Sequence, residues 1–500
     1  MSANLRNSWL FSSILLWAPL ALPLAACGGA ADNGSADLGA KPDAGDGLLR
    51  PPPIKRTQSE AQLAAKRQAC GFQAGAWPAE TIGTEYPLGS DIPINHVVVI
   101  MQENRSFDNY FGRLVAQGYY KGGDFSSPTS SGFAQTDQLD VPPAGWSNPD
   151  GKGGTVVPHL DTQQCYGVNH GWDDMHDQWN GGKNDRFVIN NNPGGERAFN
   201  YEDDTIIPFY YALANSFAVG DRYFCSALTS TWPNRLFAMA ATSFGIGDNS
   251  FVKIDTAEHP VNQIFSQLEA SGHTWKDYTD GPHQVAFFPY FAFKSSTLSQ
   301  FGNVRCDLMN DIRNGTLPNV AYIMGNEVGE TSDEGPSALP GIGGQWVEGI
   351  VRAIFASPAW KDTAIFITYD ENGGLADHVP PVPACAPDGY APHNEQGVAL
   401  KGAFDITGMR VPMILVSPYA RKHFVSHTVY DHTSVVRFIA ARFGLPALTA
   451  RDANAAVPMD MFDFKSPPQL TPPNLTAHTT VDPAVLSRCG QSYSSLTCGM

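Results

Sequence analysis

Two kinds of apolar pattern alternate along this chain. Short runs rich in β-branched residues occur at 94–101 (INHVVVIM), 317–324 (LPNVAYIM), 364–369 (AIFITY) and 411–416 (VPMILV). Continuous runs of that length predict strands covered on both faces. Between and after them, residues 206–217, 236–242, 345–356 and 435–443 have the apolar content or spacing of helices. Strands alternating with helices predict an α/β fold with a mostly parallel sheet. Such sheets bind ligands at the carboxyl ends of their strands. The residues just beyond each apolar run are therefore the first place to look for chemistry.

Three of the four runs end in polar side chains. The first hands over to Gln102-Glu103-Asn104-Arg105, the second to Gly325-Asn326-Glu327, the third to Asp370-Glu371, a Gly373-Gly374 turn and Asp377-His378. Glu103, Asn104, Asp370 and Glu371 offer oxygen donors suited to a hard cation or to general acid–base work. Arg105 suits a phosphate, although Ser106 and Asp108 also fit the caps of a helix start. Thr229-Ser230-Thr231-Trp232-Pro233-Asn234-Arg235 is a hydroxyl-rich turn entering a predicted helix. Exposed N–H groups there can receive an anion, and a hydroxyl can act as a nucleophile; the plainer reading makes Thr231 a cap. His170, Trp172, His176 and Trp179 crowd a loop-like stretch that suits a pocket. Asp431 and His432 precede the helix at 435–443, where they either cap it or reach the site.

Charge and composition narrow the partners. The chain has 500 residues and a formal net charge of −17. That balance argues against nucleic acid and against electrostatic docking on anionic lipid, while a cation or arginine can still invert the field inside one pocket. Arg6 followed by the apolar stretch 9–24 predicts a secretory signal over 1–26. Leu24-Ala25-Ala26-Cys27 resembles a bacterial lipobox, which implies a lipid on Cys27 and attachment to a membrane through that anchor alone; the alternative is an ordinary signal peptide cut at the Ala-x-Ala-like stretch and a secreted protein. Residues 27–67, rich in Gly, Ala, Asp and Pro, read as a flexible tether, with the folded part starting between Cys70 and Ile94. Eight cysteines leave seven after Cys27, so at least one thiol stays unpaired or pairs outside the chain. Scattered cysteines in an exported protein predict disulfides, and Cys489 and Cys498 are near enough in sequence to staple the tail.

The segments HVVVIMQENRSFDNYFG (96–112), NHGWDDMHDQWNGGKNDRF (169–187), TSTWPNR (229–235), TYDENGGLADHVPP (368–381), GMRVPMILVSPYA (408–420) and YDHTSVVRFIAARFGL (430–445) resemble the phosphoesterase family. That family takes in bacterial phospholipases C and acid phosphatases, within the alkaline-phosphatase superfamily. The resemblance implies a three-layer α/β sandwich with long ordered loops. It implies a catalytic domain over 68–465 with a tail at 466–500, and hydrolysis of a phosphate ester, either a phospholipid or a small phosphomonoester.

By that likeness Glu103, Asn104, Asp370 and Glu371 hold a divalent metal ion, and Thr231 is the nucleophile that forms a phosphothreonine. His170 or His378 protonates the leaving alcohol. Arg105, Asn234, Arg235, Asp377, Asp431 and His432 are candidates for holding phosphate or substrate. Two departures stand out. Relatives often carry Gly-Pro-Thr where this chain has Thr229-Ser230-Thr231, so Ser230 or Thr229 competes for the nucleophile's role. Gly335 stands where the family often has a histidine. These departures motivate an alternative, a surface-tethered binding protein with a degenerate site. A serine esterase lacks its signature here, since no G-x-S-x-G elbow occurs.

Overall fold

The computed structural model describes residues 48–123, 137–249, 263–288, 299–326, 332–492 and 496. The expected signal segment, Cys27, Glu327 and Cys498 lie outside them.

Eight strands form the central sheet: β1 (His96–Gln102), β2 (Ala218–Gly220), β3 (Trp275–Thr279), β4 (Phe301–Gly302), β5 (Val320–Met324), β6 (Thr363–Tyr369), β7 (Met413–Val416) and β8 (Phe424–Ser426). Their order across the sheet is β4-β3-β5-β1-β6-β7-β2-β8. All run parallel except β7, which is antiparallel to both neighbours. Every side chain of β5, β6 and β7 is buried, on both faces, as the unbroken apolar runs predict. The helices that matter for the site are α1 (Glu60–Gln68), α2 (Phe107–Phe111), α3 (Trp172–Trp179), α4 (Pro208–Ser216), α5 (Thr231–Ala240), α6 (Ile264–Ala270), α7 (Pro340–Phe355) and α8 (His432–Phe443). They pack in two groups, α5 with α6 and α8, and α4 with α7, so the sheet is the middle layer of three.

The four long apolar runs all become central strands. The other four strands go unannounced. β2, β4 and β8 are only two or three residues long, too short to show a period. β3 mixes Lys276 and Asp277 among its aromatics, and Trp275 and Tyr278 are core residues. Phe288 is also core, and 289–291 lie outside the described residues. β7 runs against the sheet, so the residues after Val416 emerge at the opposite edge from those after Gln102 and Tyr369.

The ordered chain begins earlier than expected. Residues 60–67, assigned to the tether, form α1 together with Gln68, with a Ser59–Gln62 capping box and Leu63 and Arg67 buried. The sequence hides this because the buried face of α1 holds one leucine and an arginine stem rather than an apolar stripe. Cys489 does not pair with Cys498 either. It bonds Cys165, and Cys70 bonds Cys385. Cys306 is also disulfide-bonded, and Cys225 is a buried free thiol. Among the described residues no helix is long and apolar enough to cross a membrane.

Candidate active site

β1 and β6 are parallel neighbours in register, with Gln102 opposite Tyr369. The next residues, Glu103 and Asp370, therefore leave the sheet side by side, and the Asp370 N–H still donates to the Gln102 carbonyl at 3.1 Å. One arginine joins them. Arg235 donates from Nη2 to Glu103 Oε1 and from Nε to Asp370 Oδ2, both at 2.9 Å, with all three side chains buried. Glu371 turns back under Asp370. Its N–H donates to Asp370 Oδ1 at 2.8 Å and its Oε2 accepts the Gly373 N–H at 2.6 Å. Gly373 must be glycine here. Its φ is 61°, and a Cβ would fall 2.5 Å from the Asn104 carbonyl oxygen. Burial and the Asp370 charge push the Glu371 carboxyl well above its ordinary range. Glu371 Oε1 and Asn104 Oδ1 are buried and accept no hydrogen bond among the described residues.

Arg235 sits one turn after Thr231 on α5, so the two share a helix face. Thr231 is the first residue of that helix, and Ser230 is its N-cap without a side-chain capping bond. Asn234 does the holding instead. Its amide donates to the carbonyls of Ala227, Thr229 and Ser230 at 3.1, 2.9 and 3.1 Å and accepts the Ala227 N–H at 2.8 Å. The Thr229 hydroxyl is committed to the Gly247 carbonyl at 2.6 Å. No hydrogen bond holds the Thr231 hydroxyl among the described residues.

The histidines separate. His170 places Nδ1 2.6 Å from the Val168 carbonyl and Nε2 3.8 Å from Glu371 Oε1. A carbonyl only accepts, so Nδ1 carries the proton and the Nε2 lone pair faces the acidic cluster. Burial holds the ring below its ordinary pKa, yet the side chain keeps 28 % of its exposure. His432 is wholly buried. It donates from Nε2 to the Asp370 carbonyl at 2.7 Å and takes the Tyr223 hydroxyl on Nδ1 at 3.0 Å; burial pushes it down to about 4. Asp431 caps α8 through the Thr433 N–H at 2.9 Å.

His378 lies in a second charged network. Nδ1 meets Asp108 Oδ2 at 2.7 Å and Nε2 meets Asp140 Oδ1 at 3.1 Å. Burial opposes its charge, but the Asp108 carboxylate and both hydrogen bonds prevail and raise it to about 9. Arg410 threads the same network, reaching Asp377 Oδ1 at 3.1 Å and Asp108 Oδ1 at 2.7 Å. Asp108, Asp377 and His378 each offer one atom within 4.8 Å of the others, a metal-like spacing. There the guanidinium and the imidazolium already supply the countercharge.

Arg105 points away from Thr231's helix. It donates from Nε to the Glu334 carbonyl at 2.6 Å and lies 3.5 Å from Glu202. Asp333 accepts the Glu103 N–H at 3.1 Å. Asp140, Asp333, Glu334 and Arg410 join the site without being candidates from the sequence. Arg410 and the turn at 333–335 lie in or beside family-like segments, but nothing local shows what they bind, because their partners lie far away in sequence.

A model of the Phosphoesterase family matches residues 94–446. The chain is similar to Phospholipase C B of Mycobacterium tuberculosis, 33% identical over 470 residues that span 84% of this chain and 88% of that protein. It is also similar to Non-hemolytic phospholipase C of Burkholderia pseudomallei, 31% identical across 78% of this chain and 63% of that one. A solved Vibrio parahaemolyticus protein of the alkaline phosphatase superfamily aligns at TM-score 0.31 and 12% identity, over 72% of this chain and 78% of its own. That likeness is too loose to carry an argument.

Proposed function

This chain belongs to the Phosphoesterase family and is a hydrolase acting on phosphate esters, and we propose that Thr231 is its nucleophile, working beside a divalent cation. One observation carries the reading. Arg235, on the face of Thr231's own helix, bridges Glu103 and Asp370, so the hydroxyl and the acidic strand tips belong to one buried cluster.

The donors suit a hard cation. Glu103, Asn104, Asp370 and Glu371 are all oxygen donors. Three buried carboxylates face one guanidinium, and Asn104 Oδ1 and Glu371 Oε1 accept no hydrogen bond among the described residues. Buried charge and unpartnered acceptors are costly unless something binds them. A divalent cation held there supplies positive charge that offsets the phosphate and lowers the pKa of a nearby hydroxyl.

The protein's own groups do the rest. Asn234 fixes the turn so that Thr231 opens the helix and N–H groups face the incoming anion. Thr231 Oγ bonds to phosphorus as the bond to the alcohol breaks, and the threonine proton passes to solvent. His170 Nε2, once protonated, gives its proton to the leaving oxygen. Water then releases the phosphoryl group from Thr231. We assign His170 rather than His378 to this step, because both His378 nitrogens are bound by carboxylates.

The substrate is a phospholipid, as in a phospholipase C, or a small phosphomonoester, as in an acid phosphatase. The disulfides favour an oxidising compartment, which supports export with a lipid on Cys27. The test is a turnover panel with a nitrophenyl phosphate, a bis(nitrophenyl) phosphate and phosphatidylcholine, each with added Mg²⁺, Ca²⁺ or Mn²⁺. Thr231→Ala loses turnover and keeps the fold; near-normal turnover in that variant overturns the assignment. Turnover of none of the three by the wild type points to the degenerate binding protein, for which Gly335 beside Glu103 is the motive.

A further inference from the structure

Glu334 plays no part in the chemistry above, yet it is wholly buried behind the acidic strand tips. Its carboxylate accepts from three tyrosine hydroxyls: Tyr110 at 2.7 Å, Tyr210 at 2.5 Å and Tyr369 at 2.5 Å. Tyr110 is on α2, just past the first strand tip, and Tyr210 is on α4. Tyr369 is the last residue of β6, immediately before Asp370. The Glu334 carbonyl holds Arg105, the residue after Asn104, at 2.6 Å. Its neighbour Asp333 takes the Glu103 N–H on one oxygen and the Gly335 N–H on the other, both at 3.1 Å. One short turn therefore ties both halves of the acidic set from behind. It reaches 103–105 through Asp333 and Arg105, and 370–371 through Tyr369.

Three donors converging on one carboxyl group favour its ionised form. A carboxylate has lone pairs for all three, whereas a protonated carboxyl presents a hydrogen to one of them. We propose that Glu334 is a positioning residue: ionised, it gathers Tyr110, Tyr210 and Tyr369 and so aligns Asp370 and Glu371 with Glu103 and Asn104, and it releases that alignment on taking a proton. The inference rests on the proposed site and adds a pH dependence to it.

Burial pushes the Glu334 carboxyl up, the three hydroxyls pull it back, and it comes to rest at about 7. The tyrosines are held well above their ordinary range and stay donors. The other charged groups facing the cage are Arg105, which favours the ionised form, Glu202 paired with Arg105, and Asp333 on the same turn. From α7, Gly343 packs against the Glu334 side chain. Turnover then declines as pH falls through about 7, which places the working range at neutral pH and above.

The test measures kcat and KM of the full chain on a nitrophenyl phosphate across the neutral range. It compares wild type, Glu334→Gln, Tyr110→Phe, Tyr210→Phe and Thr231→Ala. Glu334→Gln lowers kcat about tenfold with KM nearly constant and abolishes the acid limb. Each Tyr→Phe variant moves that limb upward by about half a unit, because one donor fewer disfavours the carboxylate. A merely structural role leaves the limb where it is. The proposal falls if the limb stays put in both tyrosine variants, or if Glu334→Gln raises KM and leaves kcat alone. Should Glu334→Gln fail to fold, the tyrosine variants carry the test by themselves. Retained turnover in Thr231→Ala sinks the nucleophile assignment while the limb still reports on Glu334.

Discussion

At the scale of single residues, Thr231 owes its place to Asn234. Ser230 is the N-cap by position but makes no capping bond; the amide three residues after Thr231 closes the turn with four hydrogen bonds to backbone. Asn234→Ala removes all four of these bonds from buried backbone groups, of which the Ala227 carbonyl keeps the Thr229 N–H, so it costs about 2–4 kcal/mol in urea unfolding and lowers turnover through Thr231. Arg235→Lys keeps a charge but cannot span both Glu103 and Asp370. It should cut turnover while the fold, followed by circular dichroism, stays intact. Both residues were legible as members of a turn that looked chemical. Their roles were not, because a side chain's partners depend on which carbonyls and carboxylates the fold brings within 3 Å.

At the scale of elements, the tips of β1 and β6 meet because the strands are adjacent, parallel and in register. The sequence predicts each strand from its β-branched run but carries no local mark of adjacency. It carries none of direction either, and β7 turns out antiparallel. Behind the tips α7 packs Gly343 against the Glu334 side chain. A Cβ on Gly343 would come 2.1 Å from Glu334 Cγ. Gly343→Ala therefore gains about 1 kcal/mol of helix propensity and loses about 1–3 kcal/mol to overpacking. The net fall in melting temperature should be accompanied by a displaced acid limb.

At the scale of the whole molecule, two disulfides join positions 315 and 324 residues apart. Cys70–Cys385 pins the segment after α1 to the chain beyond the site, and Cys165–Cys489 pins the C-terminal segment. On the chain-entropy account each such closure contributes about 6 kcal/mol, so a reductant should lower the melting temperature by many degrees. Cys225 behaves differently. Burial, with the charges of Glu371 and Asp370, pushes its thiol well above the ordinary range. An alkylating reagent should label it only after unfolding, readable by mass spectrometry.

The sequence by itself determined the fold class, the four long central strands and the segments that carry the candidate chemistry, because continuous burial on both faces leaves an unbroken apolar run and a polar residue at its end stands out. The tertiary structure alone decided that Arg235 joins Glu103 to Asp370, that His378 is bound between two aspartates, and that Glu334 gathers three tyrosines. Those contacts link residues more than a hundred positions apart, except the one from Tyr369. Pairings of that kind follow from strand order and helix placement, which no local pattern of residues encodes.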